Sequence, residues 1–176
     1  IGIIVGSSRV LRVTALPLIS SVYAIPFVVI YPILTAWLGI GTASKVWFGG
    51  IYGFFPMALA SAAGVQTVDS RYVMAARAMG ASRFQLLTQI YVPAALPSII
   101  SGLRLGGALV TIGVVVAEMM ASTKGVGFLI TQNRTMFRTP EVYFGIILVL
   151  VLVFVLDVAI RTIERRFSGH GRQYAK

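Results

Sequence analysis

The sequence predicts an all-α integral membrane protein, and three observations carry that prediction. Hydrophobic residues make up 57% of the 176 positions and charged residues 11%, with a mean hydropathy of +0.90; soluble domains carry about a quarter charged residues. Uncharged runs recur that are long enough to cross the hydrocarbon core, which takes about 20 apolar residues in a helix. The basic residues crowd at the ends of those runs, as positive-inside topology requires. Together these give four complete spanning helices, preceded by the end of another, in a single domain over residues 1–176.

Ile1-Gly2-Ile3-Ile4-Val5-Gly6 has neither an initiator Met nor a charged n-region. It therefore reads as the tail of a membrane helix rather than a signal peptide, with at least one more span expected upstream. Arg9 and Arg12 put the next stretch of chain on the cytoplasmic side. Residues 13–44 carry no charge, and Pro17, Pro26 and Pro32 interrupt them. Each Pro removes a backbone donor and kinks a helix, which neighbouring helices accommodate in a membrane. The first span is placed at 23–38, with 19–22 as its cytoplasmic approach and Gly39-Ile40-Gly41-Thr42 as the far turn. The second span lies in the uncharged run 46–68. There Gly49-x3-Gly53 and Ala58-x3-Ala62 set small residues one turn apart, so another helix can come close. A packing seam within the subunit is the simpler reading of that spacing, and a role in substrate passage the sharper one.

Asp69 and Ser70 end the membrane region and cap a short helix over about 71–79. Gly80 breaks the chain there, because it tolerates backbone angles that other residues resist. Ser82-Arg83-Phe84-Gln85 has capping-box spacing and starts a second helix, running to about 91. Pro93 and Pro97 are expected to stop that helix and set up the next span. Arg71, Arg77 and Arg83 place this helix–turn–helix segment in the cytoplasm, where its small residues offer a docking surface to a soluble partner. The third span, 98–117, contains one charge, Arg104, whose stem snorkels toward the cytoplasmic surface. Gly102, Gly106, Gly107 and Gly113 make it thin. Residues 118–141 form an extracytoplasmic segment whose charges nearly cancel. The fourth span covers 142–160, about 28 Å at 1.5 Å per residue. Arg161, Arg165, Arg166, Arg172 and Lys176 then fix the C-terminus in the cytoplasm.

Within the loop, Met74-Ala75-Ala76, three residues, Gly80, nine residues, Ile90 and then Val92-Pro93 resembles the cytoplasmic EAA loop of ATP-binding-cassette (ABC) importer permeases. That family's pattern is E-A-A-x3-G-x9-I-x-L-P; here Met74 stands at the Glu position and Val92 at the Leu position. Ala24-Ile25-Pro26, Trp37-Leu38-Gly39-Ile40-Gly41 with Ser44-Lys45, and Val116-Ala117-Glu118-Met119 followed by Gly125-Val126-Gly127 look like the nitrate, sulfonate, taurine and bicarbonate branch. The resemblance covers nearly the whole chain. It implies a type I ABC importer transmembrane domain in the bacterial inner (cytoplasmic) membrane, with a coupling loop at 69–97 and no cofactor. It also implies a second permease copy, two cytoplasmic ATPase subunits and an extracytoplasmic solute-binding protein. The ATPase-coupling residues are then Met74, Ala75, Ala76, Arg77, Ala78, Gly80, Ala81, Ser82 and Arg83. The cargo would be a small anion or organic solute, with specificity resting largely in the binding protein.

Several function classes are excluded by what the chain lacks. There is no G-x4-G-K-[ST] loop, so the energy for transport must come from another polypeptide. His170 is the only histidine and there is no Cys, which leaves no metal site of those ligands. No carboxylate pair or Ser/His/Asp set is spaced for catalysis, so the chain is not an enzyme. The net charge of +10 follows from membrane topology rather than from a nucleic-acid face. The rival reading is an ATP-independent secondary transporter or channel. Ion-coupled carriers need ionisable residues near mid-bilayer, whereas Glu118 and Asp157 lie toward span ends and Arg104 toward the cytoplasm. A passive scaffold leaves the EAA spacing without a reason.

No second half resembling the first occurs in the chain, so symmetry must come from another subunit, a homodimer being the expectation and a heterodimer with a related permease the alternative; the Gly-rich third span suits such a contact. Thr35, Ser61 and Thr111 are polar groups in apolar spans. They either line the solute path or bond a carbonyl of their own helix. Glu118, Lys124 and Phe128 are assigned to an outer gate. A carboxylate in an anion path would repel the cargo, so Glu118 is expected to pair with Lys124, Arg134 or Arg138. The flexible stretch 121–127 leads into Phe128-Leu129-Ile130, which folds back into the mouth.

Overall fold

A computed structural model describes residues 1–168; the expectations for His170, Arg172 and Lys176 lie outside these residues. In chain order the helices are α1 (Gly2–Ser7), α2 (Arg9–Tyr23), a 3-10 turn (Phe27–Ile30), α3 (Tyr31–Leu38), α4 (Thr42–Gln66), α5 (Ser70–Ala78) and α6 (Arg83–Gln85). A π-helical turn (Leu86–Tyr91), α7 (Val92–Met120), α8 (Val126–Thr135) and α9 (Thr139–Ser168) complete them. No strand occurs among the described residues. Three helices are long and apolar enough to cross a membrane, Thr42–Gln66, Arg83–Met120 and Thr139–Thr162, and the broken pair Arg9–Tyr23 and Phe27–Leu38 adds a fourth if it is one span.

The first span departs from expectation. Tyr23 ends a helix instead of starting one, and the chain breaks at Ala24-Ile25-Pro26. Pro26 has no N–H and disfavours the helical region for Ile25 ahead of it, so the break falls there. Pro17 is carried inside α2, and Pro32 sits in the first turn of α3, where a missing donor costs nothing. The piece Phe27–Leu38 is about 20 Å long at helical rises, too short to span a core of about 30 Å by itself.

Pro93 and Pro97 do not stop the loop helix either. From Arg83 to Met120 the chain is one unbroken run of 38 helical residues. At Pro93 the π-helical turn just before it explains this, while Pro97 is carried inside α7. The turn widens the spiral so that the Val92 N–H reaches back five residues to Leu87 O. That relieves the clash a proline ring makes with the carbonyl four residues earlier, here Gln89.

The chain forms two compact units, Ile1–Ile25 with Phe54–Leu105, and Pro26–Gly53 with the described chain from Gly106 on. In the first, α1 lies against α4: a Cβ on Gly2 would collide with Ala58 and Ser61, and one on Gly6 with Ala62 and Val65. Gly64 fits equally closely against Ser98, and Gly102 against Ala60 and Met57. In the second unit Gly49 and Gly53 receive Val110 and Val114, and Gly113 meets the Tyr52 ring. An aromatic ladder of Phe27, Tyr52, Phe48 and Tyr31, with centroid spacings of 5.9, 5.0 and 4.9 Å, fills its core. The small-residue spacings are thus packing seams within the chain. The glycines of α7 are used internally, so they no longer argue for a second copy packing there.

Candidate functional site

The helix–turn–helix at 69–91 is built from local signals. Asp69 caps α5 by accepting the Arg71 N–H at 2.9 Å, satisfying one of the donors a helix start leaves open. At its other end Gly80 takes φ +83°. The Ala81 N–H bonds Ala76 O at 3.0 Å and the Gly80 N–H bonds Arg77 O at 3.0 Å, the paired closure of a Schellman motif. Ser82 and Gln85 then form a reciprocal capping box. Three local locks within this short segment make the bend rigid. Ala76 and Leu86 are its buried anchors, while Met74, Ala75, Arg77, Ala78, Gly80, Ser82 and Arg83 are exposed and Ala81 half-buried. Tyr72, Met79 and Phe84 add large exposed apolar groups, Met79 at 81%.

A second cluster joins the end of α7 to the start of α8. The Glu118 carboxylate accepts the Gly127 N–H at 3.0 Å, and so caps α8 in place of Gly125, which has no side chain to do it. Gly125 has φ +114°, and a Cβ there would run into that carboxylate. A Cβ on Gly127 would strike Val115 O and the Glu118 side chain, so the Gly-Val-Gly sequence is required by space at both positions. Lys45, near the start of α4, lies 3.6 Å from the other carboxylate oxygen, with both side chains largely buried (11% and 15% exposed). Its ammonium also donates to Ser122 Oγ at 2.6 Å and Lys124 O at 3.3 Å. Tyr31 donates to Ala121 O at 3.2 Å.

The cation on Glu118 is therefore Lys45, and not Lys124, Arg134 or Arg138. Lys124 takes part through its backbone carbonyl. The segment after Glu118 is a short, pinned loop and a helix, with Gly127 and Ile130 buried and Phe128 half-buried. Sequence reasoning marked Ser44-Lys45 as a shared motif and missed the pairing. A lysine in the first turn of an apolar helix was the available signal, since a buried charge needs a partner. Reasoning from sequence also missed Phe137, which sits at φ 55° and 91% exposed after α8. It closes a second Schellman motif, with Arg138 N–H to Asn133 O at 2.9 Å and Phe137 N–H to Arg134 O at 3.2 Å.

The three path candidates bond within their own helices. Thr35 Oγ1 donates to Pro32 O at 2.8 Å, Ser61 Oγ to Met57 O at 2.7 Å and Thr111 Oγ1 to Gly107 O at 3.2 Å. Ser61 and Thr111 are buried and Thr35 half-buried. Each hydroxyl thus has a local partner.

Comparison with known proteins places this geometry. A family model described as the inner membrane component of binding-protein-dependent transport systems matches residues 1–169. The taurine transport system permease protein TauC of Escherichia coli K12 is 34% identical over 172 residues, 97% of this chain and 62% of that protein. A putative aliphatic sulfonates transport permease protein, SsuC of Bacillus subtilis 168, is 31% identical over 174 residues, 99% and 63% of the two chains. The riboflavin transport system permease protein RibX of Chloroflexus aurantiacus is 32% identical over 149 residues, 85% and 56%. The chain spans about three fifths of the length of these curated relatives.

Proposed function

The chain is a multi-pass membrane protein belonging to the family of inner membrane components of binding-protein-dependent transport systems, and from that membership we propose that it is the permease subunit of an ABC importer. It forms the solute path and transmits ATP-driven motion from separate cytoplasmic ATPase subunits. The observation that carries this reading is the rigid, exposed bend at 69–91, in which the EAA-like spacing coincides with a Schellman closure at Gly80 and a capping box at Ser82. Ala75 and Ala78 let a partner approach the α5 backbone closely, and a bend held by three locks moves as a unit when pushed.

In this reading residues 1–176 act as one permease domain, with 69–97 and the C-terminus cytoplasmic. A second copy of the chain completes the path, and a solute-binding protein delivers cargo from the other side. The taurine and sulfonate relatives favour a small organic anion as cargo. The Lys45–Glu118 cluster holds the outer segment, including Phe128, and does not touch solute. Reconstitution in vesicles with and without the ATPase subunits tests the reading: uptake that needs both the ATPase and ATP supports it, and equal uptake without them returns the secondary transporter.

A further inference from the structure

Two adjoining cavities of about 300 and 350 Å³ open beside the loop, and four residues line both: Ser7, Arg9, Arg77 and Tyr91. Arg83 completes the wall of one and Arg12 that of the other, and no acidic side chain lines either. These four arginines come from α2, α5 and α6, and their side chains form no ion pair or hydrogen bond among the described residues. Like charges gathered without counter-charge repel one another, and a bound anion removes that cost. The cavities also lie where α2 begins. Beyond Arg12 its Val13, Leu18 and Val22 are exposed, and none of its residues is buried. A helix with basic residues at one end and bare apolar residues beyond them places that end at headgroup depth.

We propose that these cavities bind the phosphate of an anionic phospholipid headgroup, clamped between α2 and the loop. Arginine suits the task, because its planar fork meets phosphate oxygens in pairs. A volume of 300 Å³ holds about ten waters' worth of space, enough for a headgroup phosphate. Arg77 and Arg83 belong to the proposed coupling surface, so the lipid would set the loop's resting position; that consequence rests on the ABC reading, whereas the binding does not.

The test uses the full-length permease with its ATPase subunits in nanodiscs of phosphatidylcholine, with or without phosphatidylglycerol, and native mass spectrometry to count retained lipid. The wild type is expected to retain phosphatidylglycerol selectively. Arg9→Gln and Arg83→Gln should each weaken retention about fivefold, equivalent to about 1 kcal/mol per basic residue, with Arg9→Lys/Arg83→Lys restoring part of it. Arg71→Gln, whose arginine pairs with Asp69 at 3.5 Å and lines neither cavity, should retain lipid as wild type does. Equal loss in Arg71→Gln, or no preference for phosphatidylglycerol, overturns the site even if ATP-driven uptake is intact. Displacement of the lipid by millimolar inorganic phosphate also overturns it, in favour of a site for free oxyanions.

Discussion

Glu118→Gln isolates the charge at the α7–α8 junction. Glutamine keeps a carbonyl oxygen for the Gly127 N–H and loses only the negative charge. At 3.6 Å and an effective dielectric constant of about 20, the lost attraction to Lys45 is about 4–5 kcal/mol. Ser122 Oγ and Lys124 O still accept from the ammonium, so the net cost should fall near 3 kcal/mol, the low end for breaking a buried pair. Lys45→Met strands the carboxylate instead and should cost a similar amount. The double variant Lys45→Met/Glu118→Gln removes both charges and should cost less than the sum of the singles by at least about 2 kcal/mol. Denaturant unfolding of the purified protein in detergent, followed by the fluorescence of Trp47 two residues from Lys45, measures all three. Additive costs to within about 0.5 kcal/mol would refute the pairing. Solute preference should be unchanged in Glu118→Gln; a switch in the preferred solute charge would put Glu118 in the path.

Gly80→Ala meets no atom within 4 Å and should cost about 1–2 kcal/mol, the strain of a left-handed residue. Gly80→Trp should fold and reach the membrane yet lose ATP-driven uptake, since its bulk lies on the face proposed for the ATPase; full uptake at normal expression would remove the coupling role. Gly127→Ala should shift α8 off α7 and cost upwards of about 2 kcal/mol, seen in the same unfolding assay. Phe137→Gly should stabilise by up to about 1 kcal/mol by releasing the strained φ, and a loss would show that the exposed ring has a partner. Thr111→Val should leave solute affinity within about twofold, because the hydroxyl serves Gly107 O; a tenfold change, about 1.4 kcal/mol, would make it a path residue.

What the sequence made legible was local. Asp69, Gly80 and the Ser82/Gln85 pair each act within four residues, so composition and spacing reveal them, and the structure places every one where the spacing put it. The passage through Pro93 was not legible, because its compensation is a backbone widening with no residue signature. Of three prolines in the first apolar run, Pro26 is where the helix breaks: Pro32 occupies a first-turn position that a helix tolerates, and Pro17 is carried inside α2. Lys45 and Glu118 are 118 − 45 = 73 positions apart, and a pair that distant is joined only by the tertiary fold. The hydroxyls of Thr35, Ser61 and Thr111 offered two readings each, and the nearby carbonyl is the one the geometry supplies.

The internal use of glycine has a mechanical consequence for assembly. Backbones that meet through glycine interlock like fitted joinery: the separation is short, the carbonyls are apposed, and sliding by even one residue brings bulk against bulk. Such joints suit parts that never shift against each other. The surfaces α2 and α9 leave open are of another kind, being exposed valines, leucines, isoleucines and phenylalanines that can change rotamer and repack. A second permease seated on those surfaces would meet a bearing rather than a weld, one able to travel through a transport cycle while each chain keeps its own seams closed.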